Sequence, residues 1–322
     1  MWLAVTVVVC ACVVWAVSST WGSIIVVADD VARALWTLPV LIALHLLQLL
    51  LSALSWRTIC ATGTAPGLAT FFRLRLIRES IDSLLPVAQI GGEVVGARLL
   101  VRRGMGAAVA GASVVVDLTM ELVAQVLFLL IGLAVLGLLR GETRWLVWLE
   151  VAGGLGLMAA GFLAGQRLGV LRILEMFVEK LAERLPSFGG KSLAGLQAAA
   201  LGFYCYPRRL LRSVLVHTLA WSLGSIETWL VLQAIGVPVT PLQAFVVESL
   251  GMAARSAGFA IPGALGAQEG GFMLAAASVG LPTEAALSLS VVKRIRELAV
   301  GVCGIWLWRT AGRPEAVARA SS

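Results

Sequence analysis

Two apolar runs free of charge, LPVLIALHLLQLLLSALSW at 38–56 and LVAQVLFLLIGLAVLGLL at 122–139, constrain this chain more than any other feature. Each is close to the ~20 residues that a helix needs to cross a ~30 Å hydrocarbon core. Only 13% of the 322 residues are charged and 59% are hydrophobic, far too little polar surface for a water-soluble domain. The expected fold class is therefore all-α, a polytopic helical membrane protein built as a single integral membrane domain over residues 1–322.

The first segment, WLAVTVVVCACVVWAVSST, has no basic n-region and no small-residue cleavage site, so it is expected to be a retained helix rather than a signal peptide. Five scattered cysteines, with no Cys-x-x-Cys and no Cys/His cluster, point away from disulfide frameworks, metal sites and cofactors. His45 and His217 each stand alone in apolar runs and are expected to pack between helices. The net charge of +7 falls in short connections, where it reads as a topology signal and a contact for anionic phospholipids at the cytoplasmic face, not for nucleic acid.

Basic residues concentrate on the cytoplasmic side of a membrane protein, and this gives a path. The connection 18–37, with Asp29, Asp30 and Arg33, belongs outside, whereas Arg57, Arg73, Arg75 and Arg78 belong inside, as do Arg98, Arg102 and Arg103. Segments 106–139 and 145–165 cross out and back. The basic connection 166–212 is then cytoplasmic, its piece LGVLRILEMFVEKLAERL amphipathic and suited to lie on the membrane surface. Helices 213–236 and 284–310 complete about six full spans, with both termini cytoplasmic and residues 311–322 a disordered tail.

Two regions, about 79–97 and 241–281, break the apolar pattern with glycine and proline. They align at an offset of 176, where Ser80, Pro86 and Glu93 fall on Ser256, Pro262 and Glu269. VVDLTMEL at 115–122 falls on VVKRIREL at 291–298, so Glu121 meets Glu297 and Asp117 meets Lys293 with inverted charge. Three full spans between the copies make them an inverted repeat, with halves at about 57–139 and 241–310. In such repeats, discontinuous helices form a site near the bilayer midplane. Proline and glycine let each region turn back as a re-entrant segment, and irregular backbone at that depth must line a cavity or lie buried in protein.

A charge at the bilayer centre costs about 2.5–3.5 kcal/mol on insertion scales, so intramembrane charges need a reason. Asp117, Glu227 and Glu248 are read equally well as structural ion pairs or as part of a site. Glu93, Arg255, Glu269 and Arg294 flank the breaks or their partners and are expected to line a polar cavity. Arginine beside glutamate suits a zwitterionic or phosphate-bearing headgroup.

The stretches RESIDSLLPVAQIGGEVVGARLL at 78–100 and ARSAGFAIPGALGAQEGGFMLAAASVGL at 254–281 resemble the integral-membrane (flippase) region of lysylphosphatidylglycerol synthases and its stand-alone relatives. Within that superfamily the wording is nearest to the integral membrane protein associated with hopanoid biosynthesis. The resemblance implies a lipid-translocating fold in the bacterial inner membrane. It carries function to Pro86, Gly91, Gly92 and Glu93, to Arg255, Pro262, Gly263, Gly266 and Glu269, and to Arg294. The synthases carry a soluble aminoacyl-transfer domain after this region; none is expected after residue 322 here, so the resemblance does not carry over lipid aminoacylation.

The leading expectation is a flippase for a hopanoid or other amphipathic lipid, with Glu93, Glu121, Arg255, Glu269, Arg294 and Glu297 around the cargo. An enzyme acting on a lipid headgroup is the first alternative, although no nucleophile–base set or phosphate loop stands out and no catalytic residue is assigned. A scaffold for lipid-biosynthesis enzymes, docking them on 166–212, is the second.

Overall fold

A computed structural model describes residues 25–60, 66–85, 91–141, 161, 164, 195–258, 261 and 264–311. Among these residues the regular structure is entirely helical. A helical run from Ile25 passes through a 3-10 turn, Leu35–Thr37, into α1 (Leu38–Ile59). There follow α2 (Leu68–Leu84), α3 (Gly91–Arg102), α4 (Ala107–Arg140), α5 (Leu196–Tyr204), α6 (Pro207–Ala234), α7 (Pro241–Ala257), α8 (Ala267–Ser278) and α9 (Thr283–Ala311).

Among the described residues, three helices are long and apolar enough to cross a membrane: Ile25–Ile59, Ala107–Arg140 and Pro207–Ala234. With its 29 residues α9 also has the length, at 1.5 Å per residue, but four consecutive-turn charges interrupt its apolar pattern. The expected first helix, the crossing at 145–165 (of which 161 and 164 are helical), the surface helix at 168–185 and the tail lie essentially outside the described residues.

Several expectations are corrected. The 18–37 connection is helical from Ile25 onward, because Arg33 pairs with Asp29 and Asp30 one turn away while buried Asp30 accepts from Ser288. α6 begins at Pro207, not 213, since proline suits a first helical turn whose amides have no partner. The broken regions are also narrower than 79–97 and 241–281: helix runs through Leu84 and resumes at Gly91, and α7 runs to Ala257 before α8 starts at Ala267.

The two copies share their helix layout. α2 and α7 have 17 residues each, and α3 and α8 have 12 each. α8 starts 176 residues after α3, as α9 does after α4. Twelve residues span only about 18 Å, so α3 and α8 cannot cross a ~30 Å core alone. Each folds back against the helix before it. At Gly92 a side chain would run into the Arg78 carbonyl and the Asp82 carboxylate, and at Gly271 into Ala254. Thus Gly91 and Gly92 open α3 instead of forming the break; Gly92 permits the close approach that closes the hairpin. Pro86, Pro262 and Gly263 fall outside the described residues.

Packing then crosses between copies. α2 lies on α9, α7 lies on α4, and α1 lies on α6. One apolar core joins Leu41, Val231, Phe272 and Leu289, and a second joins Trp56, Phe71, Ile77 and Leu100. Outward faces carry exposed Leu215, Leu274 and Val302, as surfaces in contact with lipid tails require.

Candidate functional site

Between the copies lies a cavity of about 280 Å³. Four pairs of positions related by the 176-residue offset line it with both members: His45 and Trp221, Gln48 and Gly224, Glu79 and Arg255, Glu121 and Glu297. A cavity lined by matched positions of a repeat sits where the two copies meet.

On the first-copy side, α2 brings Arg75 and Arg78 onto one face three residues apart. Arg75 binds Glu121, and its guanidinium lies 3.7 Å from Asp117. Arg78 bridges Glu93 of α3 and Asp117 of α4, the latter at 3.1 Å, and stacks 4.5 Å from the ring centre of Trp56. His217 Nε2 approaches Asp117 Oδ1 at 3.2 Å. Glycine at 96 leaves room for the Arg78 stem. Arg75 and Arg78, expected as cytoplasmic topology charges, are therefore buried within the bundle, because three carboxylates from α3 and α4 surround them.

On the second-copy side, Lys293 donates to both oxygens of Glu248 at 2.9 and 2.7 Å. Arg296 pairs with Glu227, which also accepts from Gln48 at 2.8 Å. Arg255 pairs with Glu297 and donates to Gln268, which in turn donates to Ser290 at 3.1 Å. Gly224 lets α6 meet the Glu248 carboxylate, where a Cβ would collide.

The sequence-derived residues divide into two groups. Glu93, Glu121, Arg255 and Glu297 line the cavity. Glu269 and Arg294 are not among the lining residues. Glu269 instead accepts from the Gly266 amide at 2.7 Å, closing the start of its own helix, and from Arg294 Nε at 3.2 Å. Gly266, at φ +81, makes the left-handed turn that α8 needs before it begins. Arg294 touches the site only through Glu297, at 3.2 Å.

The charge balance is lopsided. Four cations face four carboxylates in the second-copy network, whereas the first-copy network has two arginines for three carboxylates, plus His217. Glu79 and Asp82, on the cavity wall beside them, make no ion pair within 4 Å among the described residues. Among the described residues, Asp82 accepts only from the Gly92 amide, at 2.8 Å, at the start of α3. Among the described residues the cavity thus offers two carboxylates without an ion pair, Glu79 and Asp82, beside arginines already paired to carboxylates, Arg75 and Arg255.

Asp117, Glu121 and His217 offer ligand atoms within 4.8 Å of one another, yet two guanidinium groups already occupy those carboxylates. A metal there would have to displace both arginines. Sequence reading missed Arg75, Arg78, Glu79, Asp82 and Gln48. Their signal was the i,i+3 spacing of Arg75 and Arg78 amid Leu74, Leu76 and Ile77, a charged face too apolar around it for a loop.

A family model described as the lysylphosphatidylglycerol synthase TM region matches residues 1–304. It does not select the hopanoid-associated branch. Neither the curated proteins nor the solved structures give a match.

Proposed function

The chain belongs to the lysylphosphatidylglycerol synthase transmembrane family, and from that premise we propose that its central cavity carries a lipid headgroup across the bilayer. The single observation that supports this is the placement of the cavity between the copies, lined by four offset-matched pairs. A polar passage at that position, with tails left in the surrounding lipid, lets a headgroup avoid the hydrocarbon core. Rocking of one copy against the other exposes the cavity to each side in turn. In this reading the two hairpins enter from opposite faces, the protein sits in the bacterial inner membrane, and both termini are cytoplasmic.

The cargo is an amphipathic lipid, a hopanoid derivative among the candidates. Unpaired Glu79 and Asp82 favour a headgroup carrying an amine, with the paired arginines available to any phosphate beside it. The chain acts as a transporter rather than as an enzyme. Partners among lipid-biosynthesis enzymes would deliver or consume the cargo.

The test is reconstitution of the full chain in vesicles carrying a headgroup-labelled aminolipid, with leaflet sidedness and lipid mass followed together. Movement between leaflets at unchanged mass is the expected result. A changed headgroup mass would replace transport with an enzymatic reading, and no movement with no change in mass would leave the transport proposal refuted.

A further inference from the structure

A second depression, of about 310 Å³, lies where the end of α3, the end of α9 and the first half of α2 come together. It shares no lining residue with the central cavity. Three arginines converge on it, Arg73 from α2 and Arg102 and Arg103 from the end of α3. Among the described residues no carboxylate lines it, in contrast with the central site. Arg73 and Arg102 make no ion pair or hydrogen bond with any described residue, and both side chains are exposed. Under the arginines lie Leu74, Ile77 and Leu99, an aliphatic floor.

The groove lies at the level of two helix ends. Arg102 is the last residue of α3, and Thr310 of the groove is one residue from the end of α9. Trp306, one turn earlier on α9, is 65% exposed, as a tryptophan at the hydrocarbon–headgroup boundary is. A cationic groove over an apolar floor at that level fits an amphiphile with an anionic head. Guanidinium forks match phosphate oxygens two at a time, and an aliphatic floor has no use for a free ion.

We propose that the groove between α2, α3 and α9 binds the phosphate of an anionic phospholipid as a resident lipid, separate from the cargo that passes through the central cavity. Among the described residues, its lining of three arginines and no acid distinguishes it from the cargo site, where Glu79 and Asp82 have no ion pair. A lipid held there ties the end of α3 to the end of α9 and steadies one hairpin against the opposite copy.

The experiment uses the full chain in neutral detergent, titrated with dioleoylphosphatidylglycerol in mixed micelles. Dioleoylphosphatidylcholine and inorganic phosphate serve as separate arms, and bound lipid is read by native mass spectrometry. Phosphatidylglycerol should bind saturably, and the double variant Arg73→Gln/Arg102→Gln should bind it about tenfold more weakly or worse, the equivalent of ~1.4 kcal/mol. Arg309→Gln, an exposed arginine at the same end of α9 but outside the groove lining, should bind as the unaltered chain does. Both substituted arginines are exposed, so an unchanged melting temperature verifies that the double variant is folded.

Equal affinity in the double variant overturns the proposal. So does an equal loss in Arg309→Gln, which would mean general surface charge. Inorganic phosphate competing as strongly as the lipid would overturn the assignment to a phospholipid, and phosphatidylcholine binding equally well would remove the role of net charge.

Discussion

Arg78 is 1% exposed and touches three things at once: the carboxylates of Glu93 and Asp117 and the face of Trp56. Truncating one partner of a buried ion pair leaves the others without compensation, at about 3–5 kcal/mol. Arg78→Ala should therefore lower stability by about that amount in detergent-solubilised protein, measured by chemical unfolding. Arg78→Lys should not restore it, because an ammonium cannot bridge two carboxylates and stack as a guanidinium does. A loss under ~1 kcal/mol would show the cluster to be solvated like a surface pair. Glu79 is the opposite case, a wall carboxylate with no ion pair among the described residues. Glu79→Gln should leave the unfolding midpoint unchanged and weaken binding of an aminolipid by about tenfold, ~1.4 kcal/mol, in a micelle titration. Glu93, Glu121, Arg255 and Glu297 were legible as site residues because ionisable side chains in apolar runs stand out. Glu269 was legible as important but not in its role, because a helix-capping carboxylate and a cavity carboxylate look alike in sequence. Arg75 and Arg78 were hidden, since arginines following an apolar helix read first as a topology signal.

The hairpins α2–α3 and α7–α8 depend on glycine at points of contact. Gly92→Val places branched carbon against the Arg78 carbonyl and the Asp82 carboxylate. Such overpacking costs about 1–3 kcal/mol and should open the α2–α3 hairpin, seen as a lower melting temperature and faster proteolysis between Leu84 and Gly91. Gly67→Ala, where nothing lies within 4 Å of the added carbon, is the control and should change neither. Long apolar helices were readable from length alone: the 106–139 crossing is α4, and 284–310 is α9. Ends were less readable. Helix extends to Leu84 and Ala257 and is present again from Gly91 and Ala267, where glycine and proline content had suggested far wider breaks. Glycine packed against a neighbouring helix has the same letter as glycine in a turn; of the described glycines singled out, Gly91, Gly92 and Gly266, only Gly266 has the left-handed backbone of a turn.

For the whole molecule, the halves read in the sequence at about 57–139 and 241–310 carry equal helix lengths in α2 and α7 and in α3 and α8, and packing that sets α2 on α9 and α7 on α4. Their sequence traces were a few shared letters, because a repeat preserves helix lengths and contact geometry while most side chains diverge. Asp117 and Lys293 hold matched positions with opposite charges, so each network selects its own partners. If the copies are inverted, cysteines placed at the ends of α3 and α8, Arg102→Cys and Ser278→Cys in an otherwise cysteine-free chain, should react with a membrane-impermeant thiol reagent from opposite faces of sealed vesicles. Labelling of both from one face would rule out the inversion.

The central claim is that the headgroup passes through the cavity shared by the copies. It is tested most directly by the rate of aminolipid movement between leaflets in vesicles containing Arg255→Gln, Glu297→Gln or Arg33→Gln protein. Arg255 and Glu297 form an ion pair on the cavity wall, whereas Arg33 pairs with Asp29 at an exposed helix surface. The account predicts that both wall variants lose movement by at least about tenfold, ~1.4 kcal/mol of barrier, while Arg33→Gln matches the unaltered chain. Folded wall variants that move lipid at the unaltered rate would contradict it.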